Sequence, residues 1–272
     1  MSVQPLEAPG RVRHSAAIDP AVHAPRHLFA GEPLRVLLVL VSCLRPAALL
    51  AAVALVLPLA ANAADAPRGT GIHYVYLIRH GIYDRDSTAD EITGNGLNAM
   101  GHLQAQKAGQ RLAGLPIHPA SLVSSTLRRA RETADDMGVA MKMTPVRDSL
   151  IAECTPTSER ADVMKGEKPE DVAACDAQLA AAWAKYMTPT PEGDRHDVLV
   201  CHGNVIRWFV SHALGADPRW LRMEIGNGSM TILSVRPDGT PRLVVFSDVA
   251  HLPVAEQTWS GKGAGWGSAP KK

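Results

Sequence analysis

Residues 73–78, HYVYLI, form an unbroken run of aromatic, β-branched and aliphatic side chains, which predicts a buried strand. The period then changes. From Leu97 to Leu115, Gly101, Ala105, Ala108 and Leu112 recur every three or four residues, a helical stripe with Asn98 placed to cap its start. ASLVSS (120–125) predicts a short strand feeding a helix over about residues 127–137. Residues 170–187 place Val172, Leu179, Trp183 and Tyr186 broadly on one helical face. DVLVC (197–201) is another near-continuous apolar strand, followed by the helix NVIRWFVSHALG (204–215). SMTILSV (229–235) and RLVVFS (242–247) flank RPDGT, whose Asp238-Gly239 pair predicts a hairpin turn. This alternation predicts an α/β fold: a mostly parallel central sheet, helices on both faces, and an antiparallel edge strand. Sheets of that kind bind ligands at the carboxyl ends of their strands.

The first 63 residues follow a different pattern, with no Lys, five Arg and three acidic residues. Residues 34–61 become strongly apolar, and PAALLAAVALVLPLA (46–60) resembles the core of a signal peptide, with Arg45 at its charged edge and Ala61-Asn62-Ala63 as a small-x-small cleavage site. The expectation is an exported, periplasmic or extracellular protein, or else one anchored in a membrane through an uncleaved 34–61 segment. The expected domains are therefore an N-terminal extension (1–63), a folded domain (64–259) and a flexible Gly/Ser/Lys-rich tail (260–272).

Composition narrows the class. The formal charge of the 272-residue chain is +1, and after Ala63 there are 23 basic and 24 acidic residues, so there is no electrostatic footprint for nucleic acid. Cys154, Cys175 and Cys201 lack the spacing of a zinc site or redox pair, although Cys154 and Cys175 can bridge in an oxidising compartment. The scattered His73, His102, His118, His196, His212 and His251 form no metal spacing and read as surface or structural.

Candidate chemistry gathers at strand ends. The first strand finishes on Arg79, His80 and Gly81, and DVLVC finishes on His202 and Gly203. A third strand leads into SSTLRRARETA (124–134), where Arg128, Arg129 and Arg131 crowd a helix start. Cations there oppose the helix dipole and call for an anionic partner or solvent, and phosphate fits: guanidinium groups match its oxygens and helix N–H groups add donors.

RHG (79–81), LNAMGHLQA (97–105), SSTLRRARET (124–133) and CHGNVIR (201–207), in this order and spacing, resemble the histidine phosphatase superfamily, whose fold is phosphoglycerate mutase-like. Within it, CHGNVIRWFV and WLRMEIGNGSMTILSVRPDG look most like the mitochondrial Ser/Thr protein phosphatase branch. The resemblance implies a phosphoric monoester hydrolase that needs neither metal nor cofactor. His80 is then the nucleophile, Arg79, Arg129 and His202 hold the phosphoryl oxygens, and Glu153 in LIAECTP is the acid, although relatives often carry Gly where this chain has Cys154. Gly81, Gly203 and Asn204, and less directly Ser229, are expected to line the pocket, while Arg128 and Arg131 read as surface charges.

The expected partner is a phosphorylated small molecule or a phosphoprotein; oligomeric state is open. A mutase is the alternative, but RHGIYDRDSTADEIT lacks the Glu and Trp-Asn run that mutases carry. A phospho-ligand binding module without turnover is the other.

Overall fold

The computed structural model describes residues 70–90, 92–216 and 223–259, all within the compact unit Asp65–Lys272. In chain order these residues form β1 (His73–Arg79), α1 (Ala99–Ala113), β2 (Ser121–Ser124), α2 (Arg128–Met141), β3 (Val146–Arg147), α3 (Ala161–Met164), α4 (Pro169–Tyr186), β4 (Arg195–Cys201), α5 (Gly203–Ala213), β5 (Met230–Val235) and β6 (Pro241–Asp248). The strands make one sheet in the order β3-β2-β4-β1-β5-β6. β1, β2, β3 and β4 run parallel, while β5 pairs antiparallel with both β1 and β6. The antiparallel end is thus the β5–β6 hairpin, turned at Gly239, whose φ of 84° suits a residue without a Cβ.

Why β1 and β4 carry unbroken apolar runs, 74–78 and 198–201, follows from where they sit. Both are central, so alternate side chains enter different cores. Val75, Leu77, Leu199 and Cys201 join Leu179 and Ala182 of α4 and Phe209 of α5 on one face. Tyr76, Ile78, Val198 and Val200 join Ala108 and Leu112 of α1 and Ala134 and Met137 of α2 on the other. The predicted cap is in place: the Asn98 side chain accepts from the Gly101 N–H at 2.9 Å.

At the amino ends of the strands, buried His73 donates through Nε2 to Asp197 Oδ2 at 2.8 Å. Asp197 also accepts from Ser121 Oγ at 2.6 Å and pairs with Arg195 at 2.8 Å. This polar knot tethers three strands away from the ligand-binding rim.

Cys154 and Cys175 form a disulfide across 21 residues, joining the loop after β3 to α4, while Cys201 is free and fully buried.

Candidate active site

Parallel register builds the site. Arg79 lies opposite Cys201, and Ser124 opposite Val200, so the next residues, His80, His202 and Ser125, emerge together at the carboxyl rim. The rings of His80 and His202 are 5.1 Å apart between centroids. Both imidazoles are essentially buried, at 3% and 0% exposure.

The His80 tautomer is set by its neighbour. Nδ1 lies 2.8 Å from the Gly81 carbonyl and can only donate to it, so Nε2 carries the lone pair. That nitrogen faces Arg129, whose Nε–H donates to it at 3.3 Å. Burial, then Arg79 and Arg129, hold the imidazole well below its ordinary protonation range, so His80 is neutral and nucleophilic at neutral pH.

Backbone bonds fix the strand end. The His80 N–H donates to Cys201 O at 3.0 Å, and Asn227 Nδ2 donates to His80 O at 3.3 Å. The Gly81 N–H donates to Thr133 Oγ1 at 3.1 Å, tying the loop to the helix that carries Arg129.

His202 is held by Ser125, with Nε2 and the hydroxyl 2.7 Å apart, while its Nδ1 has no hydrogen-bond partner among the described residues. Burial, His80 and the two arginines keep this ring neutral as well. Arg79 donates to the Ile225 carbonyl, and burial lowers its pKa to about 10, so it remains a cation.

Glu153 approaches from the loop after β3. Its Oε1 accepts from the Asn204 N–H, at the start of α5, at 3.2 Å. Its Oε2 lies 3.8 Å from His202 Nδ1 and has no hydrogen-bond partner among the described residues. Burial pushes this carboxyl up; the Asn204 N–H and then Arg79, Arg129 and Arg207 pull it back only in part. The arrangement therefore presents a neutral imidazole lone pair, two guanidinium groups, a second neutral histidine and a carboxyl group biased toward its protonated form.

The expected residues Arg79, His80, Arg129, Glu153, His202 and Asn204 are brought together. Gly203 faces the same place, since a Cβ there would come within 3.2 Å of Arg207 and 3.9 Å of Arg79. Gly81 has a different reason from the one expected: a Cβ would lie 2.4 Å from the Gly101 carbonyl, so its small size lets α1 approach. Ser229 is fully buried and its backbone carbonyl accepts from the Arg79 N–H at 3.1 Å. Arg128 points outward, 59% exposed and paired with Glu132.

Sequence reasoning passed over several residues. Ser125 stood inside a recognised motif at the same strand end. Gln104 was a polar residue on an apolar helical stripe, which was a usable clue; its Oε1 accepts from the Ile82 N–H at 2.9 Å. Tyr83 has its ring 5.6 Å from His80, with the Arg129 guanidinium 5.1 Å from the ring centroid. Tyr83 and Asn227 gave no local clue. Among the described residues, no group of three or more His, Cys, Asp or Glu side chains is arranged to hold a metal ion.

The family model of the histidine phosphatase superfamily (branch 1) matches residues 75–158 and 155–249. The human serine/threonine-protein phosphatase PGAM5, mitochondrial, is 32% identical over 200 residues, covering 71% of this chain and 68% of its own length. The Caenorhabditis elegans serine/threonine-protein phosphatase Pgam5, mitochondrial, is 32% identical over 198 residues, covering 68% of this chain and 66% of its own. The chain thus spans about two thirds of the length of these relatives. A solved Escherichia coli K-12 structure, provisionally assigned as an alpha-ribazole-5'-P phosphatase, shares the fold with a TM-score of 0.51 at 15% identity, covering 65% of this chain and 96% of its own.

The expected export, with its membrane-anchored alternative, is overturned by the same comparisons, since these relatives are mitochondrial phosphatases. An apolar stretch bracketed by arginines is common to several kinds of N-terminal targeting segment, so its composition did not discriminate. Residues 34–61, the Ala61-Asn62-Ala63 site and the tail 260–272 lie outside the described residues, and among the described ones no helix is long and apolar enough to cross a membrane. With the family model matched across most of the folded unit and relatives above 30% identity, the chain belongs to the histidine phosphatase superfamily, branch 1.

Proposed function

We propose that this histidine phosphatase hydrolyses phosphomonoesters, with phosphoserine and phosphothreonine in protein as its substrate class, through a phosphohistidine on His80. One observation carries the reading: His80 is neutral, with Nδ1–H spent on the Gly81 carbonyl and the Nε2 lone pair facing the Arg129 cation. A phosphoryl group drawn between Arg79, Arg129 and His202 would meet that lone pair directly, and its charge would be balanced as the transfer proceeds.

In the first step, Nε2 attacks phosphorus, the P–N bond forms and the P–O bond to the alcohol breaks. Glu153 gives its proton to the departing alkoxide, a role suited to a carboxyl that burial keeps protonated. In the second step the Glu153 carboxylate takes a proton from water, whose oxygen attacks phosphorus; the P–N bond breaks and phosphate leaves. Each proton passes through Glu153, which gives one to the alcohol and regains one from the attacking water, and Arg79 and Arg129 balance the phosphoryl charge, so no step needs a metal.

The substrate class is supported by the 32% identity of the chain to relatives named as Ser/Thr protein phosphatases. A phosphoglycerate mutase is disfavoured because Ile82 follows the Arg-His-Gly motif where mutases carry Glu. The test is phosphate release from para-nitrophenyl phosphate, a phosphothreonine peptide and 3-phosphoglycerate, by wild type and His80→Ala. Release that needs His80, greatest per site on the peptide, is expected. Isomerisation of phosphoglycerate faster than release would sink the hydrolase reading, and folded protein with no turnover would leave a binding module.

A further inference from the structure

We propose that the Cys154–Cys175 disulfide is a redox-sensitive positioning device for Glu153, so that reducing it slows phosphoryl transfer to His80 from substrates with poor leaving groups while transfer from those with good leaving groups continues. The proposal rests on the reading of His80 as nucleophile and Glu153 as proton donor. Glu153 sits in a segment, residues 153–158, that has neither helix nor strand to hold it. What holds it instead is a set of attachments to α4 and α5.

On the α4 side, Gln178 Nε2 donates to the carbonyls of Leu150 at 3.2 Å and Ala152 at 2.9 Å. Asp176 accepts from the Thr157 N–H at 3.0 Å. Between these two points, one residue beyond Glu153, Cys154 is bonded covalently to Cys175. On the α5 side, Asn204 donates from its side chain to the Cys154 carbonyl at 3.0 Å and from its N–H to Glu153 Oε1 at 3.2 Å. Arg207 steadies that asparagine by donating to its Oδ1 at 3.2 Å. The carboxyl group itself is thus held by one long hydrogen bond, and the covalent anchor is on the next residue.

Cys175 is buried at 2% exposure, but Cys154 is partly exposed, so a reductant has a way in. A dithiol reductant supplies two electrons and two protons; the S–S bond breaks, Cys154 and Cys175 become thiols, and the reductant closes its own disulfide. Freed of the bridge, the 153–158 segment keeps only its hydrogen bonds. Proton donation depends on sub-ångström placement, whereas His80, Arg79, Arg129 and His202 are anchored on β1, α2 and β4 and do not depend on this loop.

Leaving-group chemistry separates the two effects. Nitrophenolate departs without a proton, while the alkoxide of threonine needs one. The second step is common to both substrates, so the measurement is the ratio of the first-turnover rate of His80 phosphorylation by a phosphothreonine peptide to that by para-nitrophenyl phosphate, for the full chain before and after dithiothreitol. A ratio cancels any loss of folded protein. It should fall by at least about tenfold on reduction, as expected when general acid catalysis is lost. The double variant Cys154→Ser/Cys175→Ser should show the low ratio from the outset and no response to dithiothreitol.

An unchanged ratio overturns the proposal, whether both rates hold or both fall together, and so does a double variant that still responds. Release from both substrates that survives His80→Ala in the oxidised protein would instead overturn the catalytic reading beneath it.

Discussion

Replacing Glu153 by Gln separates chemistry from stability, because the two should move in opposite directions. The Gln carbonyl can keep the bond from the Asn204 N–H, which Glu153 Oε1 accepts at 3.2 Å. Its amide can place N–H donors where the unpartnered Oε2 now lies 3.8 Å from His202 Nδ1. Burial raises the carboxyl above its ordinary value of 4.5, so the folded state holds this proton more tightly than the unfolded chain does. Glu153 therefore favours folding at low pH, and that contribution is lost as pH rises through its folded value. At pH 8 the variant escapes the cost of an ionised, partnerless oxygen, about 1 kcal/mol, or roughly 2–4 °C in Tm for a domain of this size. Catalysis should suffer: kcat on a phosphothreonine peptide should drop by about 10²–10⁴. The limb of the rate profile that falls toward high pH should vanish, since that limb is Glu153 losing its proton. Thermal melts at pH 5 and 8 and pH–rate profiles on the peptide check both halves. A variant that melts lower than wild type at pH 8, or that keeps the alkaline limb, would refute the assignment of Glu153 as a carboxyl held protonated in the site.

Three further outcomes follow from other parts of the structure. Gln104→Leu removes the acceptor of the Ile82 N–H at 2.9 Å and the donor to Glu256 O at 2.7 Å and Thr258 Oγ1 at 2.9 Å; it should cost about 2–4 kcal/mol in urea unfolding and expose residues 254–259 to protease. Asp197 would be raised by burial, but the bonds from His73, Ser121 and Arg195 prevail and hold it at about 2 against an ordinary 3.8. Its stabilisation is thus present above 3.8 and lost as pH falls toward 2, so the deficit of Asp197→Asn, about 3 kcal/mol at pH 7, should close over that interval in acid melts. Prolonged dialysis against EDTA should leave phosphate release unchanged, and a loss restored by a divalent ion would contradict a cycle with no step through a metal.

Much of the fold could be read from period and punctuation. β1 and β4 carry unbroken apolar runs, 74–78 and 198–201, because there each feeds two cores, and that made them visible as central strands. The two-residue β3 was not visible: Val146 and Arg147 are exposed, and only pairing with Val123 and Ser124 makes them a strand. The short α3 was missed likewise, as it buries none of its residues and so writes no stripe.

The site was legible where chemistry is placed by strand ends. His80 and His202 follow Arg79 and Cys201, which are register partners, so two sequence motifs became one cluster. What sequence could not give was support from distant segments. Asn227 reaches the His80 carbonyl across 147 residues, and Tyr83 gains meaning only from the Arg129 guanidinium near its ring. The glycine after His80 was legible as a constraint but not as to its cause, which is the backbone of α1. The N-terminal 63 residues were read from composition, and composition of that kind does not separate one kind of N-terminal targeting segment from another.

The most direct test of the account is to trap the intermediate. Wild-type protein mixed with a phosphothreonine peptide and quenched in alkali within one turnover should carry one phosphoryl group on His80, stable to base and lost in acid, when the chain is digested and sequenced by mass spectrometry. His80→Ala should carry none. Turnover with no phosphorylated histidine, or with the group on any residue other than His80, would contradict the central claim.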